Sequence, residues 1–323
     1  MDFRLVDAHA HINSEFYPDN SDVSTPTRVR SGQAVGASWR EVLARALERK
    51  IAVVNIGTNR EDSEENVRIA EEFSAGGGQG GVFAAVGLHP TETEEFNYEF
   101  YRKLAENKKV VAIGECGLDY NKFKNQSASW RTKIKINEGE FLIEKERQIL
   151  VFKSQIRLAK DVEKPLMLHL RTEEAYADAI NILEEDRKRV PAVIFHFYSG
   201  TKEQTEKLLG WGNFYVTVGG VITFSRDYDE VLKMIPMERM MVETDSPFVT
   251  PEPYRSQLRR EYPDASTVGV NSDVTVGVNG RSKLNEPAYI VETVKKLAEI
   301  KEVSEEEMAR ITTETAKRVL GLV

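Results

Sequence analysis

The sequence predicts a (β/α)8 TIM barrel with enlarged loops at its C-terminal face. Eight short apolar runs recur along the 323 residues and alternate with segments of helical periodicity. The runs lack polar alternation, which is typical of parallel strands buried on both faces. A chain of this length with 41% hydrophobic residues can bury a large core. We therefore expect one domain over residues 1–323, with its chemistry at the C-terminal ends of the strands.

The strands are predicted from the apolar runs. The first run, Leu5–His11, ends in an His-x-His pair, and most later runs end at a histidine or an acidic residue. Glycines 76–81 precede a strand and lack the Lys-Ser/Thr of a phosphate-binding loop, so they predict a flexible turn. The expected strands are 5–11, 51–55, 82–86, 110–114, 166–168, 193–195, 215–218 and 240–243.

The helices are predicted from apolar spacing and from capping residues. Two capping boxes, Ser38-x-x-Glu41 and Ser304-x-x-Glu307, indicate helix starts. A long helix is expected from about Glu138, with Leu142, Phe152 and Ile156 on its apolar face. The expected helices are 38–49, 62–73, 98–106, the one from 138, 173–187, 202–209, 288–300 and 305–320.

Composition limits the cellular setting and the partners. The formal charge of −8 gives no global basic field for nucleic acid, although metal ions or a local basic surface could supply positive potential. Cys116 is the single cysteine, which excludes an intrachain disulfide and fits a reducing cytosol. No apolar run is long enough to span a membrane, so we expect a cytoplasmic protein without membrane contact.

The histidines form the candidate site. All five follow or end predicted strands, and Glu115 and Asp245 occupy the same kind of position. Residues i and i+2 of a strand share a face, so His9 and His11 should converge. A structural role is the alternative for an isolated His-x-His, but the combined set could hold two metal ions with a bridging carboxylate. The five histidines are His9, His11, His89, His169 and His196.

Ordered motifs span nearly the whole chain, and the set is more specific than any one motif. The motifs are Val6–His11, Ala85–Pro90, Ile113–Tyr120, Pro165–Arg171, Phe195–Gly200, Val242–Pro247 and Asn285–Pro287. In this order they resemble the TatD-like metal-dependent deoxyribonuclease family, a branch of the amidohydrolase-type barrels.

The resemblance implies a role for each residue of the site. His9, His11 and Asp245 would hold one metal, His169 and His196 the second, and Glu115 would bridge them. Asp245 would also orient or deprotonate the attacking water. His89 would donate a hydrogen bond to the scissile phosphate or the leaving group, with a structural role as its rival. The ions would be Mg²⁺, Mn²⁺ or Zn²⁺.

The resemblance further implies the reaction. The expected activity is that of a DNase, a 3′–5′ exonuclease on single-stranded DNA, using a water activated by two metals in a monomeric protein. A metal-dependent ester or amide hydrolase, such as a D-aminoacyl-tRNA deacylase, is the alternative because the same water attacks carbonyls. A non-catalytic nucleic-acid-binding module ranks lower because all six ligand positions are filled.

Two inserts depart from the family pattern, at about 121–137 and 256–280. The first contains five basic residues, among them Lys122, Lys124 and Arg131, with no acidic residue and with Trp130 interleaved. Basic residues bind phosphates and aromatic rings stack on unpaired bases, so this insert and Arg171 are candidate substrate contacts. The alternative for the insert is a solvated loop without a binding role, and the alternative for Arg171 is a salt bridge to a neighbouring loop. The second insert suggests a β-hairpin.

Four further residues near the motifs have structural interpretations. Asp7 is expected at most to orient a neighbouring imidazole. Cys116 is expected to pack in the core, since a catalytic thiol needs an activating base. Asp119 and Tyr120 are expected to order the loop after Glu115 rather than to react.

Overall fold

A closed barrel of eight parallel strands forms the centre of the protein, which confirms the predicted fold class. The computed structural model describes residues 3–18, 37–75, 80–121, 137–261 and 285–322. Each strand pairs with the next in chain order, and β8 pairs with β1 to close the barrel. The strands are β1 Leu5–Ala10, β2 Ile51–Ile56, β3 Val82–Val86, β4 Val110–Asp119, β5 Leu166–Arg171, β6 Val193–Phe195, β7 Phe214–Val218 and β8 Met240–Val242.

Helices alternate with the strands, as the apolar periodicity predicts. The α-helices are Trp39–Glu48, Arg60–Ala75, Tyr98–Ala105, Glu138–Asp161, Glu173–Leu183, Lys202–Leu209, Asp229–Met234, Tyr254–Glu261, Ile290–Lys301 and Glu305–Leu320. Short 3₁₀ helices are Arg187–Arg189, Gly220–Thr223, Met237–Arg239 and Pro287–Tyr289. Within the described ranges, no helix is both long and apolar enough to cross a bilayer.

Side-chain caps begin the helices where the sequence predicts them. Ser38 accepts a hydrogen bond from the Glu41 amide while the Glu41 carboxylate accepts from the Ser38 amide, which completes a capping box. The Ser304 hydroxyl likewise accepts from the Glu307 amide at the start of the last helix. These bonds satisfy amide groups that lack an intrahelical partner.

The last helix closes one end of the barrel. The Thr313 hydroxyl donates to the carbonyl of Arg4, directly before β1. Leu320 and Leu322 join the apolar cluster that contains Val54, from β2, and Met167, from β5. The N-terminal end of the barrel is therefore covered with apolar side chains, and the C-terminal end is left for the site.

Several predicted boundaries differ from the structure. Strand β4 continues to Asp119, so Glu115 lies within the strand rather than at its end. The helices Asp229–Met234 and Tyr254–Glu261 were not predicted, and the second occupies the first residues of the expected 256–280 insert. The rest of that insert with its predicted hairpin and the basic insert after residue 121 lie outside the described residues.

The prediction for the long helix was wrong at its N-terminal end. Leu142 is 52% exposed, whereas Phe152 and Ile156 are buried as expected. The helix has 24 residues, and its buried positions begin only at Gln148. Helical spacing identifies a possible apolar face, but the length of the partner surface decides how much of that face is covered.

Candidate metal centre

Seven side chains meet at the C-terminal end of the barrel, and they include every histidine and both carboxylates that the sequence singled out. They form three overlapping groups whose nitrogen and oxygen atoms lie within 4.8 Å of one another. The side chains come from β1, β4 and β5 and from the segments directly after β1, β3, β6 and β8. The residues are His9, His11, His89, Glu115, His169, His196 and Asp245.

Three of these side chains form one group, which we call the first cluster, and one oxygen of Glu115 lies beside its two imidazoles: the group is His9, His11 and Asp245. The Nε2 atoms of His9 and His11 are 3.2 Å apart, and each is 3.6 Å from Glu115 Oε2. Asp245 Oδ1 lies 3.6 Å from His9 Nε2 and 3.5 Å from His11 Nε2. Ligands arranged as a tetrahedron about 2.1 Å from one ion would be about 3.4 Å apart. The spacing of the first cluster fits a single metal ion.

The other oxygen of Glu115 contacts both His169 and His196, which we call the second cluster, although each imidazole forms its own candidate group with Glu115, one with His89 and one with His9. Glu115 Oε1 is 2.6 Å from His169 Nδ1 and 3.3 Å from His196 Nε2. The two oxygens of one carboxylate are thus divided between two groups of imidazoles. This is the arrangement that a bridging ligand between two ions requires, and the second cluster leaves coordination positions for water or substrate.

Charge within the clusters is balanced by protons in the protein without metal. Burial alone would raise the pKa of Glu115, but the imidazoles of His169 and His196 hold it well below its usual range. Burial would lower the pKa of His196, yet the Glu243 and Glu115 carboxylates raise it well above its ordinary value. A divalent cation would displace such protons, so metal binding here should release protons.

His9 is already in the form that a metal needs. Its burial and the adjacent imidazole of His196 hold its pKa well below the ordinary value. The rings of His9 and His196 are stacked with their centroids 3.7 Å apart, so protonation of both is unfavourable. The neutral ring offers a lone pair toward the first cluster.

His89 contacts Thr91 through Nδ1, and it also forms one of the candidate metal-binding groups together with Glu115 and His169. The Thr91 amide donates to His89 Nδ1 at 3.2 Å, and an amide can only donate. The Thr91 hydroxyl lies 2.8 Å from the same nitrogen, and His89 Nε2 lies 3.8 Å from Glu115 Oε1. Burial and the imidazole of His169 lower the pKa of His89 to about 3, so the ring stays neutral.

Two carboxylates that sequence reasoning did not place in the site orient the second cluster. Glu243 Oε2 is 3.1 Å from His196 Nδ1, and its other oxygen accepts from the Phe197 amide. Asp119 Oδ2 is 3.3 Å from His169 Nε2. Carboxylates that accept the second N–H of a ligating imidazole fix its orientation and raise its basicity. The available signal was their position in the motifs Ile113–Tyr120 and Val242–Pro247.

The expected loop-ordering role of Asp119 is therefore incomplete. Asp119 does accept a hydrogen bond from the Asn121 amide, as a loop-ordering residue would. Its contact with His169 exists because β4 runs five residues further than predicted and pairs Asp119 with Arg171 on β5. Burial would raise the pKa of Asp119, but His169 and Arg171 hold it at about 2, so it is a carboxylate.

The first cluster is held by contacts between β1 and the segment after β8. The Asp245 amide donates to the His9 carbonyl at 2.9 Å, and the His11 amide donates to the Ser246 carbonyl at 2.7 Å. Asp7 accepts from the Thr244 amide and hydroxyl and from the His9 amide. Asp7 therefore orders backbone beside the ligands rather than an imidazole ring.

Asp245 has an unusual backbone conformation that the structure around it maintains. Its φ is +54°, a region that aspartate tolerates better than most residues. The buried Asn285 amide group donates to the carbonyls of Thr244 and Phe248 on either side of Asp245. This bracing explains why the Asn285–Pro287 motif, distant in sequence, belongs to the site.

The remaining predicted residues have mixed outcomes. Arg171 lies at the end of β5, half-buried and close enough to Asp119 to lower the pKa of that carboxyl.

Cys116 is fully buried in the apolar core, in agreement with its packing interpretation. Tyr120 is buried and donates to Asp178 on the helix Glu173–Leu183. Four predicted substrate contacts lie outside the described residues: Lys122, Lys124, Trp130 and Arg131.

The donor set fits divalent metal ions. Imidazole nitrogens and carboxylate oxygens converge without intervening donors in the first cluster, and such mixed sets bind Zn²⁺ or Mn²⁺ well. The Nε2 atoms of His9 and His11 lie 3.2 Å apart, and carboxylate oxygens of Glu115 and Asp245 lie 3.5–3.6 Å from them, a spacing that suits a shared metal ion. The closed barrel and its bridged clusters thus define a metal-dependent hydrolase of the barrel type.

Comparisons with known proteins identify the family. The model of the family described as TatD related DNase matches residues 6–321. The chain is 32% identical over 324 residues to the uncharacterized metal-dependent hydrolase YabD of Bacillus subtilis, across 98% of this chain and 99% of that protein. It is 29% identical over 294 residues to the 3′-5′ ssDNA/RNA exonuclease TatD of Pantoea ananatis, across 89% and 95%. The chain belongs to the TatD related DNase family.

Solved structures agree on the fold. The TatD homolog YJJV from Escherichia coli aligns with a TM-score of 0.69 and 21% identity over 100% of both chains. A TatD family hydrolase from Entamoeba histolytica aligns with a TM-score of 0.71 and 21% identity over 99% of both. The barrel seen here is therefore the fold of the family.

Proposed function

We propose that this protein is a two-metal nuclease that hydrolyses phosphodiester bonds of single-stranded DNA from the 3′ end. The observation that carries the proposal is the division of the Glu115 oxygens between two clusters. The printed name of the Pantoea relative, a 3′-5′ ssDNA/RNA exonuclease, supports the substrate and the polarity.

His9, His11 and Asp245 would hold one ion, His169 and His196 the other, and Glu115 both. Two divalent ions so bound would polarise a phosphate oxygen, lower the pKa of a water and stabilise the leaving oxygen. Buried imidazoles with carboxylates suit Zn²⁺ or Mn²⁺, while Mg²⁺ is common in phosphoryl chemistry.

The side chains of the protein supply proton transfer and orientation. The Asp245 carboxylate, about 13% exposed at the mouth, can accept a proton from the attacking water. His89 Nε2–H can donate to the phosphate or to the leaving oxygen, because its Nδ1 is occupied by the Thr91 amide. The neighbouring Arg171 guanidinium supplies positive charge for the phosphate backbone.

The decisive experiment uses oligonucleotides labelled at the 5′ or the 3′ end, with Mg²⁺, Mn²⁺ or Zn²⁺ added to chelator-treated protein. We expect stepwise shortening from the 3′ end in wild type and loss of activity in Glu115→Ala. Glu99→Ala, on an exposed helix position, is the matched control and should keep full activity. Full activity in Glu115→Ala would exclude the bridged mechanism.

A parallel assay separates the alternative reaction. The same water could attack the ester carbonyl of a D-aminoacyl-tRNA. Release of the amino acid with an intact RNA strand, together with no cleavage of DNA under any metal, would favour the deacylase.

The basic insert at 121–137 is proposed to bind the strand that enters the site. Neutralisation of Lys122, Lys124, Arg131, Lys133 and Lys135 together should weaken binding of single-stranded DNA. For each phosphate that is no longer bound, the slope of log affinity against log salt should fall by about 0.7. An unchanged affinity and salt slope would exclude a role for the insert.

We also propose that residues 1–323 form a single catalytic domain, and that the protein acts as a monomer in the cytoplasm. Light scattering of the purified protein at micromolar concentration should give the mass of one chain.

A further inference from the structure

A cavity of about 240 Å³ lies between the segments that follow β6 and β7, at the end of the barrel that carries the metal centre, and the proposed mechanism does not use it. Its walls are formed by two stretches of chain, the loop after β6 and the start of the helix after β7. The residues that matter for its chemistry are Ser199, Gly200, Asp227, Tyr228 and Leu232.

The position of the cavity places it at the same mouth as the metal centre. Ser199 follows His196 by three residues, and both come after the C-terminal end of β6. The Arg171 guanidinium connects the two regions, because it acts electrostatically on Asp119, the partner of His169, and on Tyr228 in the cavity wall. A strand bound at the metals would therefore pass close to this cavity.

Tyr228 provides an aromatic wall. Its side chain is half-buried against the core, and within the described residues its hydroxyl forms no hydrogen bond. Leu232, one helical turn later, is fully buried behind it. An aromatic ring at the edge of an apolar wall is suited to stacking on a flat ligand group.

The rest of the wall is polar and accepts hydrogen bonds. Asp227 is exposed, and its Oδ2 accepts a hydrogen bond from the Ser225 hydroxyl. Ser199 is held by the Tyr176 hydroxyl, which accepts from the Ser199 amide at 2.9 Å. A carboxylate can only accept, so the cavity favours a ligand with N–H groups at its edge.

The size of the cavity limits what it can hold. Sites for whole small-molecule ligands usually measure about 300–1,000 Å³, so this cavity suits one flat group of a larger ligand. A nucleobase is flat, presents a π-face to Tyr228 and carries N–H donors for Asp227.

We propose that this cavity is a subsite for one base near the cleaved end of the nucleic acid, stacked on Tyr228 and paired with Asp227. The proposal rests on the proposed nuclease function. Stacking makes the subsite tolerant of sequence, and the Asp227 carboxylate gives a preference for bases with an exocyclic amino group over thymine. A base held here would fix the register of the strand at the metals.

The test measures cleavage of oligonucleotides that carry one abasic residue at the first, second or third position from the 3′ end. In wild type, one of these substrates should show a KM raised roughly 5- to 150-fold, the range expected for loss of one stacked base. Tyr228→Ala should show a similar KM increase for intact substrate and no further increase for that abasic substrate.

Tyr228→Phe is the matched control, because it keeps the ring and should retain the wild-type KM. Asp227→Asn should reduce the preference for cytosine over thymine at the sensitive position. Thermal unfolding of each variant checks that the fold is preserved.

Two failures can be told apart. The subsite is excluded if wild type cleaves the intact substrate and all abasic substrates with equal KM. It is also excluded if the KM increases caused by Tyr228→Ala and by the abasic residue are additive. Neither result contradicts the nuclease function. If no oligonucleotide is cleaved with any metal, the nuclease function itself is wrong, and the subsite is excluded with it.

Discussion

At the scale of single residues, Glu115 determines how the site is organised. Its two oxygens face different clusters, and its buried carboxylate remains charged because imidazoles surround it. The histidines differ in their tasks because of what their second nitrogen contacts. His196 and His169 are backed by carboxylates, His11 Nδ1 lies 3.2 Å from the Ile56 carbonyl, and His89 is backed by an amide donor.

The donor role proposed for His89 can be tested separately from metal binding. His89→Gln should reduce kcat about 100-fold, because one donor to the transition state is removed, while metal content stays unchanged. The measurement is activity together with metal analysis of the same preparation. His169→Gln is the comparison, and it should lose metal. Loss of metal from His89→Gln would show that His89 is a ligand.

The contact of Glu243 with His196 should control metal affinity. Glu243→Gln leaves the size of the side chain but weakens the acceptor for the His196 N–H, so affinity should fall about 10- to 100-fold. Calorimetric titration of the apoprotein measures the change. Asp178→Asn, whose carboxylate contacts Tyr120 and Lys145 away from the clusters, should leave the affinity unchanged. Equal affinity in Glu243→Gln and wild type would contradict this role.

At the scale of elements, irregular pairing directs the ligands. The register of β1 against β2 shifts between Asp7 and Ala10, where His9 lies. The register of β4 against β5 shifts between Ile113 and Cys116, where Glu115 lies. Such irregularities redirect side chains and are common beside active sites. His9 lies within β1, whereas His11 follows its last residue. The two side chains therefore converge at the end of the strand, and strict alternation of side-chain faces along the strand does not by itself explain it.

Gly117 allows β4 to pass close to the strand that carries His169. Its φ is +140°, and a Cβ there would lie 2.2 Å from the His169 carbonyl oxygen. Gly117→Ala should lower the free energy of unfolding by roughly 2–6 kcal/mol, from backbone strain and overpacking. Urea denaturation measures this decrease.

Gly212→Ala is the matched control for that substitution. Nothing lies within 4 Å of a Cβ at Gly212, so its effect should stay within about 0.5 kcal/mol. Equal stability of the two variants would contradict the importance of close packing at Gly117.

At the scale of the whole molecule, barrel closure creates the site. Ligands separated by more than 200 residues meet because β8 pairs with β1, as in the contact of the Asp245 amide with the His9 carbonyl. The site's side chains come from β1, β4 and β5 and from the segments after β1, β3, β6 and β8, so most of the barrel contributes. A site assembled from several strands should couple metal binding to global stability.

Metal removal should therefore destabilise the protein. Metal at 100 times its Kd should add about 3 kcal/mol of stability for each site, and a chelator should remove it. Thermal unfolding with Mn²⁺ and with EDTA measures the difference. Glu115→Gln should unfold at the same temperature in both conditions. A wild-type midpoint that does not respond to EDTA would contradict the coupling.

Sequence patterns predict the barrel and its clustered histidines, Glu115 and Asp245, but not the supporting carboxylates Glu243 and Asp119. Buried parallel strands need continuous apolar runs, and polar residues that end such runs must lie at one face, so all seven clustered residues could be named in advance. The helix starts at Ser38 and Ser304 could also be predicted, because a cap depends on residues that are close together in the sequence. The basic insert and the hairpin stay predictions, since they lie outside the described residues.

The tertiary structure alone decided how those residues are used. The division of the Glu115 oxygens and the contacts of Glu243 and Asp119 with imidazoles depend on distances between different strands and the segments that follow them. The exposure of Leu142 likewise depends on where its packing surface ends. Sequence patterns encode which face a side chain takes, whereas strand length, register shifts and barrel closure set which atoms finally meet.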